Sequence, residues 1–263
     1  MNSEIATFTD QGYYIFENAI TKLECDKFKS NLKSIKNTMK IPYSDRVWGY
    51  GNLIDVEPFS NIINNQIIKK FCEEFLKDYF FNHLMVNNKS AWIGPDVEWH
   101  QEAFNIETYA PGADPVKDWN KFLQFFIPLD DQNKENGCLK IIPNSHKLGL
   151  LKYEDIINSN LGHKRRVKYE EMNNAYEKYG VKDVELKSGD ILIFNHLLIH
   201  GSGTNLSPYD RKAIVLQAQS RNFKKDDKIF QNATKKRQQF IINQLNEKIN
   251  TLENKNLYSA FKK

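Results

Sequence analysis

The sequence predicts a mainly β domain, an antiparallel sandwich or barrel with helices in front of it. Two observations carry this reading. From about residue 83 to 221 the chain is a succession of short apolar or alternating runs, HLMV, WHQEAFNIETY, FLQFFIPL, CLKIIP, DILIFNHLLIH and AIVLQAQ. Between them stand turn formers: Gly94-Pro95, Pro111-Gly112, Asn136-Gly137, Pro143-Asn144, Ser188-Gly189-Asp190 and Gly201-Ser202-Gly203. A parallel sheet would instead place a helix-length crossover between consecutive strands.

The elements follow in order. Tyr13, Tyr14, Ile15 and Phe16 read as a short strand, and a helix follows, capped by Thr21 or a neighbour, with Leu23, Phe28, Leu32 and Ile35 as its apolar stripe. A second helix is expected around 60–80, where Ile62, Ile63, Ile67, Ile68, Phe71, Phe75 and Leu76 recur at helical spacing. Both helices should lie against one of the sheets. Residues 147–185 interrupt the strand pattern with a polar segment, HKRRVKYEEMNNAYEKYG, that reads as helix or mobile loop; long insertions of this kind are often lids. Residues 1–225 form one domain on this reading. Residues 226–263 form a helical extension in which Ile242, Leu245, Ile249 and Leu252 make a short seam, either packed on the domain or used in a homodimer.

Composition narrows the function classes. The chain has 263 residues, 40% of them hydrophobic and 27% charged, enough apolar material for a sizeable core. The 37 basic and 33 acidic residues nearly balance, which is not the clustered positive field of a nucleic-acid binder. No apolar run reaches the roughly 18 residues of a membrane span. Cys25, Cys72 and Cys138 are widely spaced and odd in number, so neither a disulfide framework nor a cysteine zinc site is indicated. With no signal-peptide pattern at the start, a reducing cytoplasm is the expectation.

The chemistry begins at VEWHQE. On a strand His100 and Glu102, at i and i+2, project from one face and present an imidazole and a carboxylate to one point. Alone, that pair is an ordinary surface feature. His200 in LLIHGSGTN adds a second imidazole, and two histidines with one carboxylate make the facial triad of non-heme Fe(II) oxygenases, which leaves positions open for a cosubstrate and O₂. Arg211 lies eleven positions beyond His200 and opens the run RKAIVLQAQ. Only six of the basic residues are Arg, and a guanidinium on a strand beside a metal can grip a carboxylate with two parallel hydrogen bonds.

With these residues in place the sequence resembles the phytanoyl-CoA dioxygenase family of Fe(II)/2-oxoglutarate-dependent oxygenases over roughly residues 8–221. FTDQGYYIFENAITKLECDKFKSNL is similar to the family's entry strand and helix, and WHQE to its His-x-acid motif. ENGCLKIIPNSHK is similar to its hairpin, and SGDILIFNHLLIHGSGTNLSPYDR to its distal-histidine-to-arginine segment. The resemblance implies a double-stranded β-helix core, a cupin-like jelly roll, with His100, Glu102 and His200 as iron ligands and Arg211 on the distal carboxylate of 2-oxoglutarate. Ser202 matches a family hydroxyl that also reaches the cosubstrate. Phe126 falls where some members place a Trp beside it, and Asn87 is a further polar candidate. One departure stands out: the family usually has Asp where this chain has Glu102. Related oxygenases outside the family use His-x-Glu, and retention of a carboxylate argues against halogenating variants, which have a small residue there.

Other residues carry competing readings. His196 and His200 form HxxxH, but without the Glu of HExxH and in a β-like run, so a zinc hydrolase is disfavoured and His196 should be a packed strand histidine. His146 should stabilise the turn after the hairpin; His83 and His163 have no partner at ligand spacing. Arg165 and Arg166, with Lys164 and Lys168, are either a solvated helix face or a clamp for an anionic substrate. Gln217 and Gln219 share one strand face and can contact substrate or fill the barrel.

The expectation is therefore a cytoplasmic enzyme using Fe(II), with 2-oxoglutarate and O₂ as cosubstrates. It would hydroxylate an unactivated C–H of a small, anionic-leaning metabolite and release succinate and CO₂. The alternatives are the same iron chemistry diverted to desaturation, epimerisation or cyclisation, and a catalytically silent jelly-roll binding protein.

Overall fold

The structure, a computed structural model, describes residues 1–35, 40–42, 47–50, 53–92, 94–106, 110, 112–156 and 165–221. In chain order the elements are α1 (Asn2–Gln11), β1 (Tyr13–Phe16), α2 (Lys22–Asn31), β2 (Lys40–Pro42), β3 (Val47–Tyr50), α3 (Gln66–Phe75), β4 (Tyr79–Lys89) and β5 (Val97–His100). There follow β6 (Phe122–Pro128), β7 (Leu139–Ile141), β8 (Tyr153–Asp155), β9 (Arg165–Val167), α4 (Tyr169–Tyr179), β10 (Lys182–Val184), β11 (Ile191–Phe194), β12 (His200–Ser202) and β13 (Arg211–Ser220). A seven-stranded sheet, β1-β11-β6-β13-β4-β3-β2, faces a four-stranded one, β10-β7-β12-β5, and β8-β9 form a separate hairpin. All pairings are antiparallel, and the architecture is the expected jelly roll.

Alternation along the large sheet separates two cores. Leu84, Val86, Leu123, Phe125, Ile127, Ile214 and Leu216 point to the helix side and pack with Phe8, Cys25, Phe28, Phe59, Ile68 and Phe71. Phe126, Leu192, Phe194 and Ala213 point the other way and meet Leu139, Ile141, Val184 and Leu198 between the sheets. Strand β6 is buried along its whole length, which explains why FLQFFIP is an almost unbroken apolar run.

The helices differ from expectation in detail. α1 stands ahead of β1 and was not legible, because only Phe8 of its residues is buried. In α2 the cap is Thr21, whose hydroxyl accepts from the Glu24 amide at 3.3 Å while the Glu24 carboxylate accepts from the Thr21 amide at 2.9 Å, a complete capping box. Its buried stripe is Cys25, Phe28 and Leu32; Leu23, two residues before Cys25 and so on the far side, is 80% exposed. The helix expected over 60–80 is interrupted. Phe59–Asn64 winds as 3₁₀, and Asn65 then caps α3 by accepting from the amides of Ile67 and Ile68 at 3.0 and 3.2 Å.

DILIFNHLLIH is two strands rather than one: β11 belongs to the large sheet and β12 to the small one. The crossing is a turn at Asn195, whose side-chain oxygen accepts from the Leu197 amide at 2.8 Å and whose carbonyl accepts from Leu198 at 2.9 Å. His196 therefore sits in a turn, not on a strand, and His200 opens β12 rather than ending a strand. Within the expected lid, α4 forms as a helix, but Arg165 and Arg166 lie on β9, not on a helix face. Residues 157–164 of that lid lie outside the described residues. So does the extension over 226–263, with its seam and the dimer contact assigned to it. Cys25, Cys72 and Cys138 are free and buried. Among the described residues no helix is long and apolar enough to cross a membrane.

Candidate metal and cosubstrate site

β5 and β12 are neighbours in the small sheet, and His100 and His200 are direct register partners. Their rings lie 4.2 Å apart, centroid to centroid. Each Nδ1 lies against the backbone carbonyl two residues back, Glu98 at 2.7 Å and Leu198 at 2.9 Å. A carbonyl can only accept, so Nδ1 carries the proton and Nε2 is left with a lone pair, the ligating form of a neutral imidazole. Burial, and then His100 beside it, lower the His200 pKa.

Glu102 completes the group, though not from a strand. β5 ends at His100, Gln101 is still extended, and Glu102 is the first residue of a 3₁₀ turn, Glu102–Asn105, pinned by the Ala103 amide donating to the His196 carbonyl at 3.0 Å. Its Oε1 lies 3.6 Å from Nε2 of both histidines. Burial alone would raise this carboxyl; in their imidazolium form the two rings outweigh it by hydrogen bonding and charge and hold it well below the usual range. The three donor atoms lie within 4.8 Å of one another, and among the described residues they are the only such group of His, Cys, Asp and Glu. Adjacent donors of an octahedral ion with bonds of about 2.1 Å sit about 3 Å apart. Two imidazole nitrogens and a carboxylate oxygen, without thiolate, suit Fe(II) in a site that keeps open positions.

Gln101, between two of these ligands, went unnoticed in the sequence. At i+1 from His100 it must point away from the ligands, into the fold, and it is fully buried. Its amide donates to the carbonyls of Gly149 at 2.9 Å and Leu197 at 2.6 Å and accepts from the Leu151 amide at 2.9 Å. One side chain thus ties the ligand strand to the turn before His200 and to the base of the lid. Gln101→Leu should strand three buried backbone groups, costing about 3 kcal/mol. A domain of this size should then melt about 6–12 °C lower, and metal affinity should fall roughly tenfold or more. Unchanged melting and metal titrations in the variant would show that Gln101 holds nothing in place.

The strands of the large sheet present a second set of groups toward the small sheet. On β13 Arg211, Ala213, Val215 and Gln217 share the inward face; their register partners on β4 are Lys89, Asn87, Met85 and His83. Phe126 and Gln124 on β6 are partners of Val215 and Gln217. Arg211, Asn87, Phe126 and Gln217 therefore fall on one face, as a jelly roll with an internal site requires. Arg211 is buried and donates through Nη1 to Gln132 Oε1 at 3.2 Å and to the Gly137 carbonyl; burial lowers its pKa to about 10. Gln132 is a second residue the sequence did not reveal, since its contact spans 79 positions. Ser202, buried at the end of β12, precedes Gly203, and Gly203 and Gly137 approach so closely that a Cβ on Gly137 would lie 2.2 Å from the Gly203 oxygen. Gly137 also has φ +71°, so only glycine fits there.

Other candidates find other places. Gln219, two residues beyond Gln217, shares its inward face and accepts at 2.6 Å from the amide of Asn82, the β4 residue that a bulge leaves without a register partner. Arg166 pairs with Glu154 at 2.6 Å and with Glu98, on the ligand strand, at 3.2 Å. Arg165 donates to the Phe104 carbonyl, approaches Asp155 at 3.5 Å and lies 4.7 Å over the Tyr153 ring. Both guanidinium groups thus hold the β8-β9 hairpin against the ligand segment. His196 is buried, donates from Nε2 to the Pro115 carbonyl at 3.0 Å and is pushed down to about 4 by burial; its ring meets Phe122, not His200. His146 bonds the Thr9 carbonyl at 3.0 Å, joining the hairpin to α1.

Comparison with known proteins is consistent with this geometry. The sequence profile of the phytanoyl-CoA dioxygenase (PhyH) family matches residues 8–213. Phytanoyl-CoA dioxygenase 1 of Oryza sativa is 33% identical over 135 residues, 49% of this chain and 40% of the rice protein, so the match spans two-fifths of that relative's length. An ectoine dioxygenase of Nocardia farcinica is 21% identical over 234 residues, 82% of this chain and 76% of that one. Among solved structures, EctD from S. alaskensis with 2-oxoglutarate and 5-hydroxyectoine superposes with a TM-score of 0.66 at 17% identity, covering 86% of this chain and 78% of EctD. The 2-oxoglutarate-dependent epimerase SnoN superposes with 0.63 at 14% identity, covering 83% of each chain. At these identities the likeness is one of fold.

Proposed function

Since the chain belongs to the phytanoyl-CoA dioxygenase family, we propose that it is an Fe(II)- and 2-oxoglutarate-dependent dioxygenase that hydroxylates an unactivated C–H of a small metabolite and releases succinate and CO₂. The observation that carries this is the His100–Glu102–His200 group, with Nε2 of both rings 3.6 Å from one carboxylate oxygen, in the same interior as the buried guanidinium of Arg211. Bound Fe(II) supplies the dioxygen chemistry and the oxidative decarboxylation of 2-oxoglutarate.

The residues of the chain do the rest. His100, Glu102 and His200 would hold the ion, and a set of three protein ligands would leave coordination positions for cosubstrate and O₂. Arg211 takes the distal carboxylate of 2-oxoglutarate, Ser202 adds a hydroxyl, and Asn87 and Phe126 line the passage between. Burial of His100, His200, Ser202, Phe126 and Arg211 keeps bulk water away, so orientation comes from fixed donors rather than solvent. The lid arginines lend no support to an anionic substrate, because Glu98, Glu154, Asp155 and the Phe104 carbonyl already engage them. The reaction is placed in the cytoplasm. Desaturation, epimerisation or ring formation would use the same residues, and product analysis separates them from hydroxylation.

Anaerobic addition of Fe(II) and then 2-oxoglutarate should produce a visible metal-to-ligand charge-transfer band, and admission of O₂ should yield succinate. A substrate screen then follows succinate formation. Absence of the band in the wild-type protein would rule out the cosubstrate, and a band without any succinate would favour the silent binding protein.

A further inference from the structure

Lys89 stands at the end of β4, directly opposite Arg211 in register and on the same inward face, and is only 3% exposed. Its Nζ donates to the Gly203 carbonyl, while Arg211 donates to the carbonyl of Gly137, against which Gly203 is packed. The two basic side chains thus rest on the two halves of one tight glycine contact, immediately beyond Ser202. The backbone of Lys89 is fixed there by Asn205, whose amide donates to the Lys89 carbonyl at 3.1 Å. Cross-strand partners have Cβ atoms about 5 Å apart, so two positive charges in these positions repel. Among the described residues neither Lys89 nor Arg211 makes an ion pair with a carboxylate. A buried pair of basic groups without an anion is stable only if one gives up its proton or an anion arrives from outside.

We propose that Lys89 is a second cationic anchor for the distal carboxylate of 2-oxoglutarate, and that it takes up a proton when that carboxylate binds. This rests on the cosubstrate reading above and goes beyond it in naming the residue and the linkage. The groups facing Lys89 are Arg211 from β13, Asp96 from the loop after β4, and Cys138 ahead of β7; its register partner on β3 is the uncharged Val47. Burial, and then Arg211, push Lys89 down to about 6, against the weaker opposing influence of Asp96 and Cys138. Near neutral pH the empty site therefore holds a neutral amine. An arriving carboxylate favours the ammonium form and raises the Lys89 pKa. Between the free and bound values, affinity should fall by up to tenfold for each unit of rising pH.

The test is calorimetric titration of the anaerobic Fe(II)-loaded protein with 2-oxoglutarate from pH 6.5 to 8.5, in buffers of different ionisation enthalpy. Wild type should lose roughly tenfold or more in affinity across the range and take up close to one proton per ligand near pH 7.5. Lys89→Met should bind more weakly at the acid end with a flattened pH profile and without that uptake. Lys89→Arg, charged throughout, should restore affinity without restoring the uptake. 2-Oxopentanoate, which lacks the distal carboxylate, should bind wild type and Lys89→Met alike. Equal affinity and equal pH slope in wild type and Lys89→Met would overturn the proposal and leave Lys89 as a structural donor to Gly203. No binding of 2-oxoglutarate to wild type would instead overturn the cosubstrate reading on which it rests.

Discussion

Replacement of His200 by alanine should abolish Fe(II) binding at working concentrations and with it the charge-transfer band and all 2-oxoglutarate-linked succinate. Loss of groups that merely orient a metal ligand costs tenfold to a hundredfold in affinity, so loss of a ligand itself should exceed about a hundredfold. His100→Ala should match it, because the two imidazoles are equivalent in construction, each held by the carbonyl two residues back and each 3.6 Å from Glu102 Oε1. Glu102→Asp is the more informative substitution. It withdraws the carboxylate by about one C–C bond, roughly 1.5 Å, from a position set by the 3₁₀ turn rather than by β5. Metal affinity should fall while the protein folds normally, and an Asp variant that binds as tightly as wild type would show that the turn adjusts to the shorter side chain. Metal titration with thermal melting on the same samples separates ligand loss from misfolding.

Arg211→Met should weaken 2-oxoglutarate by about thirtyfold or more, since removing one partner of a buried charged pair costs about 2–5 kcal/mol. The effect should fall on the Michaelis constant for 2-oxoglutarate, with the rate at saturating cosubstrate far less affected, because the guanidinium meets the end of the molecule remote from the metal. Arg211→Lys should recover only part of the loss. A lysine cannot reproduce the planar fork that bonds a carboxylate while keeping the contacts to Gln132 Oε1 and the Gly137 carbonyl. Titration of the charge-transfer band measures the affinity directly, and an Arg211→Met protein with an unaltered titration would remove Arg211 from the cosubstrate site.

Which of these residues could be read from the chain follows from the range of the physics involved. Alternation and turn formers are local, so the strand content of 83–221, the Thr21 cap and the inward parity of Gln217 and Gln219 were all accessible from neighbouring residues. The candidate ligands and Arg211 were accessible for a chemical reason: few side chains can hold a metal or grip a carboxylate, and here they recur in a recognisable order. Local patterns failed where a competing interaction won. DILIFNHLLIH reads as one strand, yet the side chain of Asn195 turns the chain from one sheet to the other. His100 and Glu102 look like a strand pair, yet Glu102 is delivered by a turn that the His196 carbonyl pins.

Residue types and their periodicity sufficed for an antiparallel sandwich or barrel carrying two histidines, a carboxylate and an arginine, and the family resemblance made it a jelly roll. Which residues stand beside them was settled only by strand pairing. Lys89 meets Arg211 because β4 and β13 pair in one particular register, and Gln132 reaches Arg211 across 79 positions. Periodicity states which face of a strand a side chain occupies, but not which strand lies next to it. That choice belongs to the packing of the whole core, and the electrostatic character of Lys89, buried beside a guanidinium, exists only once it has been made.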